Sequence, residues 1–260
     1  LSASICKTDL ISEIVGEFPE LQGIIGGYLS NDQGFDKEIV DSVKEQYLPS
    51  GMDSPIPKKL FSITLSVSDK IDNLVGFFGI NEKPSSSKDP YALRRNALGI
   101  IRIIIENKKD LKINDLISHS FNFYSNQGIS LQNKSLHKDI VLFLKERFKY
   151  YLKEKGIRHD IIEASINGFD LNKISILFEK SKSLNKVINK QVGQDIMTVY
   201  KRAHNILQSE VKDINNELSN TTEPGIFQND FEKNLYKKIN ELRKYFEGVS
   251  GDEKFDETLI

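Results

Sequence analysis

The side chains with the greatest capacity for chemistry are four histidines and one cysteine. The sequence has no H-x-x-x-H or C-x-x-C pair, so these residues lack the spacing of ready metal ligands. It also has no glycine-rich phosphate loop, no G-x-S-x-G and no Cys/His nucleophile pair. We therefore predict no metal centre, no nucleophilic site and no catalytic residue in this chain.

One histidine stands beside an aspartate, at His159-Asp160. The pair resembles the dyad of the metal-dependent HD phosphohydrolases. It also follows Gly156-Ile157-Arg158 at a predicted helix start, where an aspartate is stabilising in the first turn whatever the function. We interpret Asp160 as such a first-turn residue.

A group of charged residues lies on the two most apolar predicted helices, where charges persist only if they are paired or at an edge. Its members are Asp69, Lys70, Asp72, Arg94, Arg95 and Arg102. Ion pairing between the helices would satisfy them, and this is the interpretation we favour. Phosphate contact by Arg94 or Arg95 is the alternative that stays open.

A second basic group lies farther along the chain. Lys201, Arg202 and Asn205 place two cations and an amide on a helix face opposite Tyr200 and Leu207. A solvated helix face would look the same, so composition alone does not choose between solvent and an anionic ligand.

Composition limits the class of protein. The chain has 260 residues, of which 38% are hydrophobic and 28% charged, and no apolar run approaches the roughly 20 residues of a membrane-spanning helix. Lys+Arg 36 against Asp+Glu 37 leaves a net charge of −1, so a nucleic acid would have to bind at local patches. The single cysteine fits a reducing compartment, and we expect a cytoplasmic protein. Because the chain begins with Leu1 and ends within an apparent helix start, we also expect a fragment of a longer protein.

Apolar residues recur at spacings of three and four, which predicts an all-α fold. A break is expected near Gly16–Pro19, with Pro19 starting a helix, and a domain boundary near residue 110. The segment from Tyr91 to Glu106 is apolar around most of its circumference and is predicted to be the central buried helix. The last two helices could form an antiparallel hairpin. The predicted helices cover 2–15, 19–29, 36–47, 58–78, 91–106, 113–124, 134–154, 170–188, 191 onward and 231–246.

Four stretches then carry a resemblance to a known family, in their order and spacing. They are Lys7-Thr8-Asp9-Leu10, Val15 to Gly26 (VGEFPELQGIIG), Ser68 to Gly76 (SDKIDNLVG) and Ser87 to Ile103 (SKDPYALRRNALGIIRI). Together they resemble the beta subunit of the bacterial heterotetrameric glycyl-tRNA synthetase. Gly156 to Asp160 and Lys201 to Leu207 extend the likeness more thinly, so that it spans nearly the whole chain.

The resemblance implies a domain order. Residues 1–110 would form an HD-type helical domain that lacks its N-terminal part, and 111–181 a helical linker. Residues 182–260 would form an incomplete DALR-like anticodon-binding helical domain. Asp69 occupies the place of the last metal-binding aspartate of active HD hydrolases, but Lys7 and Thr8 stand near the place of the His-Asp dyad. The resemblance therefore implies an HD fold without its metal or its phosphohydrolase activity.

It also implies a function. The beta subunit would recognise tRNA(Gly), while the alpha subunit of an alpha2beta2 enzyme attaches glycine using ATP with Mg. This chain would then need no cofactor of its own and no membrane. The expected tRNA-binding residues are Arg94, Arg95, Lys201, Arg202 and Asn205.

Two other functions stay open at this point. A metal-dependent HD phosphohydrolase using Asp69 would need a divalent ion and at least two histidines converging on that carboxylate. A non-catalytic helical interaction scaffold would use its basic residues only in ion pairs.

Overall fold

The computed structural model describes residues 1–85, 87–167, 169–210, 225 and 227–248. These residues form α-helices and short 3-10 turns with no strand among them, which confirms the all-α prediction. The helices are α1 (Ser2–Ile5), α2 (Glu13–Glu17), α3 (Ile24–Asp32), α4 (Lys37–Glu45), α5 (Leu60–Gly79), α6 (Leu93–Glu106), α7 (Ile113–Asn126), α8 (Leu136–Glu154), α9 (His159–Ser165), α10 (Ile174–Ile188), α11 (Gln191–Glu210) and α12 (Asp230–Gly248). Within the described ranges, no helix is both long and apolar enough to cross a bilayer.

The chain divides into two compact units, residues 1–178 and 179–260. In the first unit, helices from both sides of residue 110 pack together, since α7 and α8 lie against α5 and α8 also lies against α6. The division into 1–110, 111–181 and 182–260 as an HD-like domain, a linker and an anticodon-binding-like domain stays a prediction.

Helix α6 is deeply buried in the first unit, as its pattern predicts, although α5 contacts more of the other helices. Leu93, Ala97, Ile100, Ile101 and Ile103 have no exposed surface. The helix packs against α5, which in turn contacts α4, α7 and α8. Burial of this nearly continuous apolar surface is the main stabilising contribution to the unit.

The predicted helix over 2–15 is wrong, because the chain turns twice within it. Thr8 begins a 3-10 turn (Thr8–Ile11) after α1, and its hydroxyl donates to the carbonyl of Ile5 at 2.7 Å. The hydroxyl of Ser12 then accepts the N–H of Val15 at 3.2 Å and caps the start of α2. These side-chain bonds compete with the helical ladder and redirect the chain.

Pro19 likewise begins only a 3-10 turn (Pro19–Leu21), and not the long helix predicted there. Gly23 separates that turn from α3, with φ +80° and its N–H bonded to the buried carboxylate of Asp9 at 2.6 Å. The backbone of Gly23 also lies close to its neighbours, because a methyl group there would be 2.9 Å from the Tyr47 ring. Helices α3 and α4 pack directly on one another here.

Asp89 caps α6, although the helix begins at Leu93 and not at Tyr91. The Asp89 carboxylate accepts the N–H groups of Leu93 at 2.9 Å and Arg94 at 3.0 Å. Ala92, with φ +53°, turns the chain between the cap and the helix.

In the second unit, α11 and α12 leave large apolar side chains exposed, among them Val199, Tyr200 and Leu235. The described residues therefore do not show the hairpin packing that the pattern suggests. The composition of residues 216–225, rich in Asn, Ser, Thr, Glu and Pro, predicts a connecting loop, and this stretch lies outside the described residues except for Gly225.

Candidate functional site

A charged cluster forms where Lys7, just before the first 3-10 turn, meets Asp69 and Lys70 on α5. The ammonium of Lys7 lies 2.7 Å from the carboxylate of Asp69 and 4.5 Å from the ring centroid of Tyr47. Asp69 is therefore neutralised by a residue far from it in the sequence. Pairing between the two apolar helices would require a partner for Asp69 on α6. The partner found, Lys7, lies outside both helices.

Lys70 is the buried member of this cluster, with only 2% of its surface exposed. Its ammonium donates to the carbonyl of Gln46 at 3.0 Å and to the hydroxyl of Ser66 at 2.8 Å. Burial lowers the pKa of Lys70 from 10.5 to about 8; the charge of Asp69 opposes the shift, and Lys7 and Arg95 add to it. The cluster is therefore rich in positive charge.

The depressed pKa of Lys70 makes a pH-dependent stability prediction. Between pH 8 and 10 the unfolded chain holds a proton on this lysine that the folded chain has lost, so stability should rise with pH by about 2 kcal/mol. Lys70→Met should remove this rise, which urea unfolding followed by circular dichroism would measure. The same substitution at exposed Lys153 is the control and should preserve it. An unchanged rise in Lys70→Met would contradict the assignment.

Arg94 and Arg95 differ in whether the guanidinium group is free to bind a phosphate. The Arg94 guanidinium donates to the carbonyl of Ser85 and lies 4.0 Å from the carboxylate of Asp89. Arg95 is exposed, and it makes no hydrogen bond or ion pair with the part of the chain that the structure describes. Of the two predicted phosphate contacts, Arg95 has the freer guanidinium, and it is the one whose charge reaches Lys70.

Arg102 is paired, but within its own helix and not between the two apolar helices as predicted. Its guanidinium forms a two-pronged pair with Glu106, at 2.7 and 3.1 Å, and donates to the carbonyl of Gly51. Asp72, by contrast, accepts a hydrogen bond from Ser120 on α7 at 3.3 Å. These groups stabilise the fold and are not directed to a ligand.

Among the described residues, Asp69 has no neighbouring side chains that could bind a metal ion together with it. Across the described ranges, no three His, Cys, Asp or Glu side chains converge into a group that could hold a metal ion. The carboxylate is already bound by Lys7. Asp160 lies in the first turn of α9 as predicted, and its carboxylate accepts a hydrogen bond from Arg158 at 2.7 Å.

The second basic group lies on α11. Lys201, Arg202 and Asn205 are exposed there, and none has a hydrogen bond or ion pair with the described residues. Beside them the rings of Tyr200 and His204 stack in parallel, with centroids 5.9 Å apart and 10° between planes. Free cations, an amide and exposed rings on one helix suit the phosphates and unpaired bases of RNA.

One further arginine, Arg147, is not among the predicted site residues. Arg147 on α8 lies 5.9 Å from the ring centroid of Phe143 and 5.6 Å from that of Tyr150. These positions are four and three residues from Arg147, the spacings at which helical side chains meet, so the pattern F-x-x-x-R-x-x-Y could have indicated the contact.

Comparison with known proteins decides the family. A family model described as the glycyl-tRNA synthetase beta subunit matches residues 1–167, which is more than half of the chain. The chain belongs to the glycyl-tRNA synthetase beta subunit family. The residues matched include the Lys7–Asp69–Lys70 cluster and both arginines at the start of α6.

Curated relatives from this family extend the likeness to the second unit. The glycine–tRNA ligase beta subunit of Rickettsia canadensis (strain McKiel) is 39% identical over 245 residues, covering 93% of this chain and 34% of the relative. That of Rickettsia africae (strain ESF-5) is 38% identical over 259 residues, covering 99% and 36%. That of Rickettsia bellii (strain OSU 85-389) is 40% identical over 242 residues, covering 93% and 34%. The chain thus spans about a third of the length of these glycyl-tRNA synthetase beta subunits.

Proposed function

We propose that this chain is the tRNA-recognition part of a glycine–tRNA ligase beta subunit. Membership of the beta subunit family supports the proposal. The observation that carries it is the free basic and amide face of α11, where Lys201, Arg202 and Asn205 are exposed without partners among the described residues.

In this proposal the chain positions the tRNA and catalyses no step. Lys201 and Arg202 would bind tRNA phosphates and fix the register of the RNA. Asn205 and the Tyr200–His204 stack would bind unpaired anticodon bases, which present hydrogen-bonding edges and flat faces. Arg95 would add a phosphate contact in the first unit, whereas Arg94, bonded to Ser85, would be a weaker contact than predicted.

The remaining steps belong to other parts of the enzyme. In this proposal the alpha subunit activates glycine with ATP and Mg and transfers it to tRNA(Gly) in a cytoplasmic alpha2beta2 assembly. This chain contributes no catalytic residue and no cofactor site. A phosphohydrolase at Asp69 is disfavoured, because a metal ion would have to displace the Lys7 ammonium.

Charge reversal on α11 tests the proposal. We expect Lys201→Glu with Arg202→Glu to weaken tRNA(Gly) binding at least tenfold, because the variant loses phosphate contacts and places negative charge beside the RNA. Each lost contact should also lower the log–log slope of affinity against salt by about 0.7 to 0.9. Filter binding at several salt concentrations measures both quantities.

The matched control is Lys37→Glu with Lys153→Glu, which makes the same charge change at two exposed lysines elsewhere. The control should retain most of the affinity. Equal affinity of wild type and the α11 variant would refute tRNA recognition by this face and favour the scaffold alternative.

A further inference from the structure

One cation of the first unit lies between aromatic rings on the surface of α8. The guanidinium of Arg147 lies over the rings of Phe143 and Tyr150, at 5.9 and 5.6 Å from their centroids. Both contacts are cation–π interactions, which favour a charged and planar group at this position.

Arg147 has no acceptor for its hydrogen bonds in the described part of the chain. Its Nε is buried and unbonded, and no carboxylate among the described residues pairs with its guanidinium. The neighbouring Lys149, by contrast, pairs with Glu146 at 3.4 Å and Glu163 at 3.0 Å. The buried Nε is out of reach of solvent, but the two terminal nitrogens are neither buried nor bonded within the described residues, so an external acceptor there would stabilise the guanidinium.

The rings that flank Arg147 are held in place at one end and open at the other. Phe143 contacts Phe78 with centroids 5.2 Å apart, and Phe78 is 2% exposed. Tyr150 is 40% exposed. Arg147 therefore contacts one ring that packs against the core, Phe143, and one that is accessible, Tyr150.

From this geometry we propose that Arg147 and Tyr150 bind one unpaired nucleotide of RNA. The guanidinium takes the phosphate and the exposed face of Tyr150 stacks on the base. The proposal rests on the RNA-binding function proposed above. A carboxylate of an acidic peptide would satisfy the cation but would leave the flat aromatic surface unused, so we favour the nucleotide.

The test uses the whole chain and a single-stranded RNA of twelve nucleotides, with the same sequence as a duplex and polyglutamate as comparisons. Arg147→Ala should weaken single-strand binding by roughly tenfold and lower the salt slope by about 0.7. Tyr150→Leu should weaken it without changing the slope, and Arg147→Lys should keep the slope but lose part of the affinity. Lys153→Ala, an exposed cation on the same helix, is the control.

The outcomes separate this proposal from the broader one. If charge reversal on α11 weakens tRNA binding while Arg147→Ala and Tyr150→Leu leave single-strand affinity unchanged, the nucleotide site is refuted and tRNA recognition survives. If wild type binds neither tRNA(Gly) nor the single-stranded RNA, both the nucleotide site and the proposed tRNA recognition are refuted. Equal losses for duplex and single strand, or Arg147-dependent binding of polyglutamate, would also overturn the nucleotide site. Circular dichroism of each variant checks that it folds, and the conservative Arg147→Lys keeps the test valid if Arg147→Ala does not.

Discussion

Replacing Gly23 by alanine should lower the free energy of unfolding of the first unit by roughly 2 to 5 kcal/mol. Two effects add. The backbone at φ +80° and ψ −43° is strained for any residue with a side chain. The new methyl group would also lie 2.9 Å from the Tyr47 ring and 3.0 Å from the carbonyl of Lys44. Hydrogen exchange of the α3 and α4 amides measures the loss in this unit alone.

Gly34 provides the matched control for Gly23. It also has a positive φ, +75°, but a methyl group there would meet no atom within 4 Å. Gly34→Ala should therefore show only the backbone cost, about 1 to 2 kcal/mol. Equal losses at the two positions would show that the close approach of α3 to α4 contributes nothing.

Removing the Arg102 side chain should be the other large loss, at about 3 to 5 kcal/mol for Arg102→Ala. The guanidinium is buried, so its removal leaves the carboxylate of Glu106 and the carbonyl of Gly51 without their partner. Burial raises the pKa of Tyr151 to about 12, with a further contribution from Glu106, so without Arg102 the Glu106 carboxylate would keep the neutral Tyr151 hydroxyl but lose its opposite charge. Urea unfolding followed by circular dichroism measures the loss.

An exposed ion pair provides the comparison for Arg102. Lys59 on the surface pairs with Asp41, and Lys59→Ala should change stability by too little to resolve. Arg102→Lys should recover only part of the loss, because an ammonium cannot replace the two-pronged contact. A loss in Arg102→Ala as small as that of the exposed pair would contradict the structural role of Arg102.

The long helices could be predicted because the spacing of apolar residues within each of them indicates a helix. Helix α5 was predicted over 58–78 and found at Leu60–Gly79, and α6 was predicted to be central because its isoleucines surround it. The first twenty residues were predicted poorly, because a contact distant in the sequence, from Gly23 to the Asp9 carboxylate, fixes the chain there. Periodicity does not report such contacts.

The candidate site shows the same limit. Residue types were enough to name Arg95 and the basic face of α11 as candidates, and both are exposed. Spacing could not show that Asp69 pairs with Lys7, since these residues lie on different elements. It also could not show which arginine is bonded within the chain, as Arg94 and Arg102 are, and which lacks an acceptor, as Arg147 does.

The ion pair of Lys7 with Asp69 determines whether the charge at Asp69 depends on divalent ions in the surrounding solution. A metal ion at a carboxylate is exchangeable, so its occupancy varies with concentration and with competing chelators. An ammonium attached to the same polypeptide is present in every folded copy at a fixed stoichiometry. The charge balance at Asp69 is therefore inherited with the sequence and is independent of the supply of divalent ions.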